Sequence, residues 1–118
     1  MSIVHVFSSN RRFGSHEALR AFVHPTYTED GDEVPSRFMA EVGIDSVEPA
    51  CIEVAAVADP KPLRQLLEGA SYGDQWIHLV SGSILASEAI CVFEPNGVAR
   101  PSAATTVSYC GTFQYVAK

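Results

Sequence analysis

The side chains able to do chemistry are few, and their spacing fits no common reaction. Histidines stand at His5, His16, His24 and His78, and cysteines at Cys51, Cys91 and Cys110. No two histidines have the H-x-x-x-H spacing that sets two imidazoles on one helical face. His16 and His24 are eight residues apart with Pro25 following, a weak basis for a shared metal face. Asp30, Asp32 and Glu33 share a loop but lack the calcium-loop pattern and its closing glutamate. Ser81-Gly82-Ser83 falls in a helical pattern, so it is not a nucleophile elbow. No glycine-rich phosphate loop is present. Cys51 and His5 would imitate a nucleophile and its base only across paired strands, and nothing supplies an orienting third group. A histidine inside an apolar strand, as His5 is, is expected to bond a backbone carbonyl or a carboxylate. The expectation is a protein with no catalytic residues, no metal and no cofactor.

Charge narrows the partners. The 118 residues carry eight basic and fourteen acidic side chains, a formal net charge of −6. Phosphate binding needs clustered Lys and Arg, so nucleic acid is argued against as a direct ligand. The charge is uneven. Residues 25–59 hold nine acids (Glu29, Asp30, Asp32, Glu33, Glu41, Asp45, Glu48, Glu53 and Asp59) against one base, Arg37, a net −8. Such a block suits a basic partner or forms a solvated face. The odd cysteine count without C-x-x-C reads as reduced, buried thiols in a cytoplasmic protein. No apolar run approaches the length of a membrane span. Residues 1–24 lack the basic start and apolar stretch of a secretory signal. Nothing in the sequence indicates a homo-oligomer.

The elements that must position these residues form one domain, 1–118. Residues 2–8 read as a strand, apolar on both faces and so interior to a sheet. Ser15 should cap a helix with Leu19, Phe22 and Val23 on its inner stripe, stopped at His24-Pro25. A loop over 25–34 contains the turn signal Asp30-Gly31. A short helix follows from Pro35 to Val42, with Phe38, Met39 and Val42 inward and Gly43 at its end. Residues 50–58 read as the second strand. Asp59-Pro60 should open a third helix carrying Leu63, Leu66 and Leu67. Asp74 should open a fourth, with Trp76, Ile77, Val80 and Ile84 buried. Residues 89–94 form a third strand, Pro95-Asn96-Gly97 a turn, and 105–116 the last strand. In that strand Val107, Tyr109, Phe113 and Tyr115 should face one way and Ser108, Cys110, Thr112 and Gln114 the other, with a bulge at Gly111. The order β-α-α-β-α-α-β-β predicts an α+β fold: a single sheet of about four mainly antiparallel strands with helices on one face.

Several phrases then read together. They are Thr26-Tyr27-Thr28-Glu29-Asp30-Gly31-Asp32, Pro35 to Asp45, Ile52-Glu53, Leu67 to Asp74, the apolar strand Ile90 to Phe93, and Tyr109 to Tyr115. Their order and content resemble the immunity protein 22 family of bacterial polymorphic toxin systems. That resemblance implies a small cytoplasmic α+β inhibitor whose partner is a cognate protein toxin. Inhibition by covering or distorting a catalytic cleft needs no chemistry of the inhibitor's own. The acidic stretch would suit a basic, nuclease-like toxin. Loops on a rigid scaffold carry most binding residues, and tyrosine joins apolar area to a polar tip. Tyr27, Glu29, Asp30, Asp32, Glu33, Tyr72 and Asp74 are therefore the expected toxin-binding residues. The rival reading is a small-molecule-binding or regulatory α+β domain without catalysis.

Overall fold

Residues 89–93 turn alternately to two different cores, and that alternation organises the molecule. The computed structural model describes residues 2–94 and 98–117. Along the chain come β1 (Ser2–Ser9), α1 (His16–Val23), β2 (Thr26–Tyr27), β3 (Glu33–Val34), α2 (Arg37–Val42), β4 (Ile52–Pro62), α3 (Leu63–Leu66), α4 (Gly73–Trp76), β5 (Leu85–Phe93) and β6 (Ser108–Tyr115). Single 3-10 turns occupy Pro49–Cys51, Ile77–Leu79 and Pro101–Ala103. The main sheet has the order β4-β5-β1-β6 with every pair antiparallel, and β2 and β3 form a separate hairpin.

The fold is α+β as expected, but helices cover both faces of the sheet. On one face Val4, Val6, Ala89, Cys91 and Phe93 meet Leu63, Leu66, Leu67, Trp76 and Val80. On the other, Phe7, Ile52, Ile90 and Val92 meet Leu19, Val23, Phe38, Met39 and Val42. Along β5 every residue from Ala86 to Phe93 is buried. A continuous apolar run of that kind marks a strand covered on both sides. The expectation of one covered face came from the polar positions of the last strand, which lies at the sheet edge.

The last two strands are not neighbours either. β1 lies between β5 and β6, so residues 98–107 cross over it instead of closing a hairpin. The turn expected at Pro95-Asn96-Gly97 lies outside the described residues. β4 runs on through Pro62 where Asp59-Pro60 was expected to start a helix. Its register jumps from Ala56 opposite Glu88 to Lys61 opposite Ala86, leaving 57–60 unpaired. Proline is tolerated there because the strand is at an edge, where a missing N–H breaks no ladder. The helix expected from Asp74 to Ile84 is only α4 and one 3-10 turn. Ser81, Gly82 and Ser83 then form a turn braced by Arg64, which donates to the carbonyls of Val80 and His78.

Local signals held where they were local. The Ser15 hydroxyl accepts from Ala18 N–H at 3.0 Å and starts α1. The Ser36 hydroxyl accepts from Met39 N–H at 3.1 Å and starts α2. Gly43, at φ 76°, ends it in the left-handed conformation that glycine adopts without a steric penalty. Gly111, at φ 125°, does mark a bulge. Val6 lies opposite Gly111 and Phe7 opposite Tyr109, so Cys110 is the extra residue. The bulge reverses the facing of the strand. Val107 and Tyr109 share the α1–α2 side with Thr112 and Gln114, while Phe113 and Tyr115 join the α3–α4 core. The expected single aromatic stripe is thus split between faces.

Candidate interaction surface

The β2–β3 hairpin is built by its own short-range bonds. Thr28 N–H donates to the Asp32 carbonyl at 2.9 Å, and Asp32 N–H returns to the Thr28 hydroxyl at 3.1 Å. Gly31 N–H donates to the Thr28 carbonyl at 2.9 Å, and Gly31 takes φ 87° at the tip. This closed turn holds Glu29, Asp30 and Asp32 in solvent. Among the described residues these three carboxylates take no hydrogen bond and no ion pair. Tyr27 is 56% exposed beside them, and Val34, on the paired strand, is also exposed. Sequence reasoning passed over Val34. Its exposure follows from its place on a two-residue strand outside the main sheet, for which no periodicity gives a signal.

Much of the acidic block is structural. Glu33 accepts from the Ser46 hydroxyl at 2.8 Å and Val47 N–H at 3.3 Å, tying the hairpin base to the chain after α2. Glu53 accepts from both the N–H and the hydroxyl of Ser71. Asp59 pairs with Arg11 at 2.9 Å. Glu41 accepts from the N–H groups of Thr105 and Thr106 and the Thr106 hydroxyl, at 2.8, 3.0 and 2.6 Å. Burial pushes the Glu41 carboxyl upward, but these hydrogen bonds outweigh it and hold its pKa at about 2. The strongest brace lies outside the block. Glu88, buried in β5, accepts from the Ser9 hydroxyl and from the backbone N–H groups of Arg12, Phe13 and Gly14. Positive φ at Arg11 and Gly14 accompanies this inward turn of the loop amides.

The structure separates the two groups of expected contact residues. Tyr27, Glu29, Asp30, Asp32 and Glu33 come together on the hairpin, on the α1–α2 side. Tyr72 and Asp74 are on the α3–α4 side. Tyr72 is stacked on Tyr115 with ring centroids 4.8 Å apart, and packs against that core. Asp74 is exposed in the first turn of α4.

The remaining reactive groups are occupied or apart. His5 is 5% exposed; its Nε2 lies 2.8 Å from Glu94 and its Nδ1 2.9 Å from the Thr112 hydroxyl. That hydroxyl in turn meets the Tyr109 hydroxyl. The ring is a bridge between β1 and its surroundings and presents no free nitrogen to solvent. Cys51 ends the 3-10 turn that leads into β4 and packs with the opposite core, and β5 separates β4 from β1, so no Cys51–His5 pair exists. His16 and His24 flank the eight-residue α1, roughly 12 Å apart along its axis. All three cysteines are free; Cys91 is buried, whereas Cys51 and Cys110 are half-buried. Burial drives the Cys91 thiol far above its usual range, and also raises that of Cys110 against a hydrogen bond with Ser8. Among the described residues no cluster of His, Cys, Asp and Glu has the makings of a metal site, and no helix is long and apolar enough to cross a membrane.

The chain is thus a two-faced α+β scaffold presenting an acidic, tyrosine-bearing hairpin. Residues 4–115 match the family model described as Immunity protein 22, and the chain belongs to that family. No curated protein and no solved structure is significantly similar to it.

Proposed function

We propose that this protein binds a cognate bacterial toxin domain and neutralises it by occlusion, without chemistry of its own. Membership of the immunity protein 22 family supports the immunity role. One observation carries the choice of surface: Glu29, Asp30 and Asp32 stand unpaired on a turn whose own hydrogen bonds are closed, beside the exposed ring of Tyr27. Carboxylates so placed repel one another until a cation approaches, so a basic toxin surface, such as that of a nuclease, is the fitting partner. Glu33 serves this surface by fixing the hairpin to the body, while Tyr72 and Asp74 stand away from it.

The test is association kinetics against the cognate toxin domain at two salt concentrations. Changing Glu29 to Gln and Asp30 and Asp32 to Asn together should slow association and flatten its salt dependence, with melting unchanged. Tyr27→Ala should mainly speed dissociation, on the order of tenfold or more for a loss of about 1.4 kcal/mol. Tyr72→Ala should lower stability and leave both rates alone. Parental rates for the neutralised hairpin at both salts would move the contact elsewhere.

The rival, a small-molecule-binding domain, would have to use a surface cleft. A cleft of about 170 Å³ opens between β4 and α3, floored by Ala89 and Cys91. Wider clefts of about 450 and 490 Å³ lie between the loop before α1 and β4 and beside α4, but they are open to solvent, whereas a ligand pocket encloses most of its ligand.

A further inference from the structure

The two edges of the sheet are treated differently by the sequence. β4 is blunted in the ways that keep an edge from pairing. It carries Glu53, Asp59 and Lys61, has prolines at 60 and 62, and breaks register over 57–60. β6 has none of these charges and no proline: its residues are Ser-Tyr-Cys-Gly-Thr-Phe-Gln-Tyr. The uncharged stretch extends from Pro101 through Ala117, in a chain in which 19% of residues are charged. Its one interruption is the bulge at Cys110–Gly111, after which the strand runs regularly to Tyr115. Tyr109 before that run and Val116 after it are exposed apolar side chains.

We propose that the outer edge of β6 pairs antiparallel with β6 of a second copy of this chain, joining two four-stranded sheets into one of eight. The charge distribution selects this occupant. Two copies of a −6 chain repel wherever their acidic surfaces meet. In a two-fold antiparallel pair the residue on the axis faces its own copy and its immediate neighbours lie diagonal to theirs, so a charge near the axis would meet a like charge. An uncharged strand meets both conditions, and β6 is the edge that lacks charge. A two-fold perpendicular to the sheet keeps each face on its own side. Centred on the regular run, it brings Gln114 of one copy opposite or diagonal to Gln114 of the other. This proposal does not rest on the toxin reading.

The experiment is sedimentation equilibrium of the purified protein from micromolar to about 1 mM, the range over which association worth at least about 4 kcal/mol is visible. The parent should approach twice the chain mass. Gln114 is exposed and its side chain makes no hydrogen bond among the described residues, so its replacement should leave the monomer intact. Gln114→Lys and Gln114→Glu should each weaken association at least about tenfold, by like-charge opposition. An equal mixture of the two should associate again as a heterodimer. Ala58→Lys, on the other edge, should behave as the parent, and circular dichroism should show all four folded. A parent that stays monomeric to about 1 mM overturns the proposal. So does a folded Gln114→Lys chain that associates as tightly as the parent, or a mixture that fails to recover.

Discussion

Ser9 and Glu88 face each other across the β1–β5 ladder, and the Ser9 hydroxyl donates to the Glu88 carboxylate at 2.7 Å. The same carboxylate gathers three backbone N–H groups from the loop before α1, at 2.9, 2.9 and 3.1 Å. Glutamine is the same shape but accepts at one atom only. Glu88→Gln should therefore strand at least one buried donor and cost about 2–4 kcal/mol. Urea unfolding reads the loss, and native-state hydrogen exchange should quicken at Phe13 and Gly14 first. An unchanged midpoint would show that water serves those amides equally well.

Glu41 gives stability a pH dependence of known sign. Its pKa falls from the ordinary 4.5 to about 2 on folding. The contribution is therefore present above about pH 4.5 and is lost as pH drops through about 2. Glu41→Gln should remove this slice of acid sensitivity and cost about 1–3 kcal/mol at neutral pH, by loss of charge-assisted bonds to Thr105 and Thr106. Thermal melts of both chains between pH 2 and 7 provide the check, and parallel curves would refute the assignment.

Core truncations should not be equal. Trp76 is fully buried beneath Phe93 and Phe113, whereas Phe22 is half-buried between Phe13 and Phe38. Trp76→Ala should cost on the order of 3–5 kcal/mol, and Phe22→Ala roughly half of that. Equal denaturation midpoints for the two would contradict this picture of the core.

The cysteines should be inert. Iodoacetamide at pH 8 should leave Cys91 unlabelled in the folded protein and label it promptly in denaturant, because its buried thiol resists ionisation. Single replacement of Cys51, Cys91 or Cys110 by Ala should leave protection against the toxin intact in cells, with small stability losses. Protection lost in a folded cysteine variant would argue for chemistry at that thiol.

How far the sequence could be read depended on the range of the forces involved. The caps at Ser15 and Gly43 and the turn at Asp30-Gly31 were legible because each is settled within a few residues. The place of β1 between β5 and β6 was not, since it depends on strands about eighty residues or more away in the chain. The bulge glycine was visible at position 111, but its effect on facing needed the register of β1. The acidic block misled for a similar reason. Glu33, Glu41 and Glu53 bond mainly to backbone N–H groups and hydroxyls of distant loops. Such partners leave no charge signal, so bracing and exposed carboxylates look alike in the sequence. Tyr72 and Asp74 were grouped with the hairpin acids without any local basis for their distance.

The closed turn at residues 28–32 has a further consequence. Its hydrogen bonds run between Thr28, Gly31 and Asp32, and none needs the side chain of Glu29 or Asp30. Those two positions can therefore change charge, size or polarity while the core beneath them stays as it is. In the binding role proposed for it, a hairpin of this kind would be a replaceable key on a fixed ring: one scaffold could acquire a new partner through a few surface letters, with no refolding of the body that holds them.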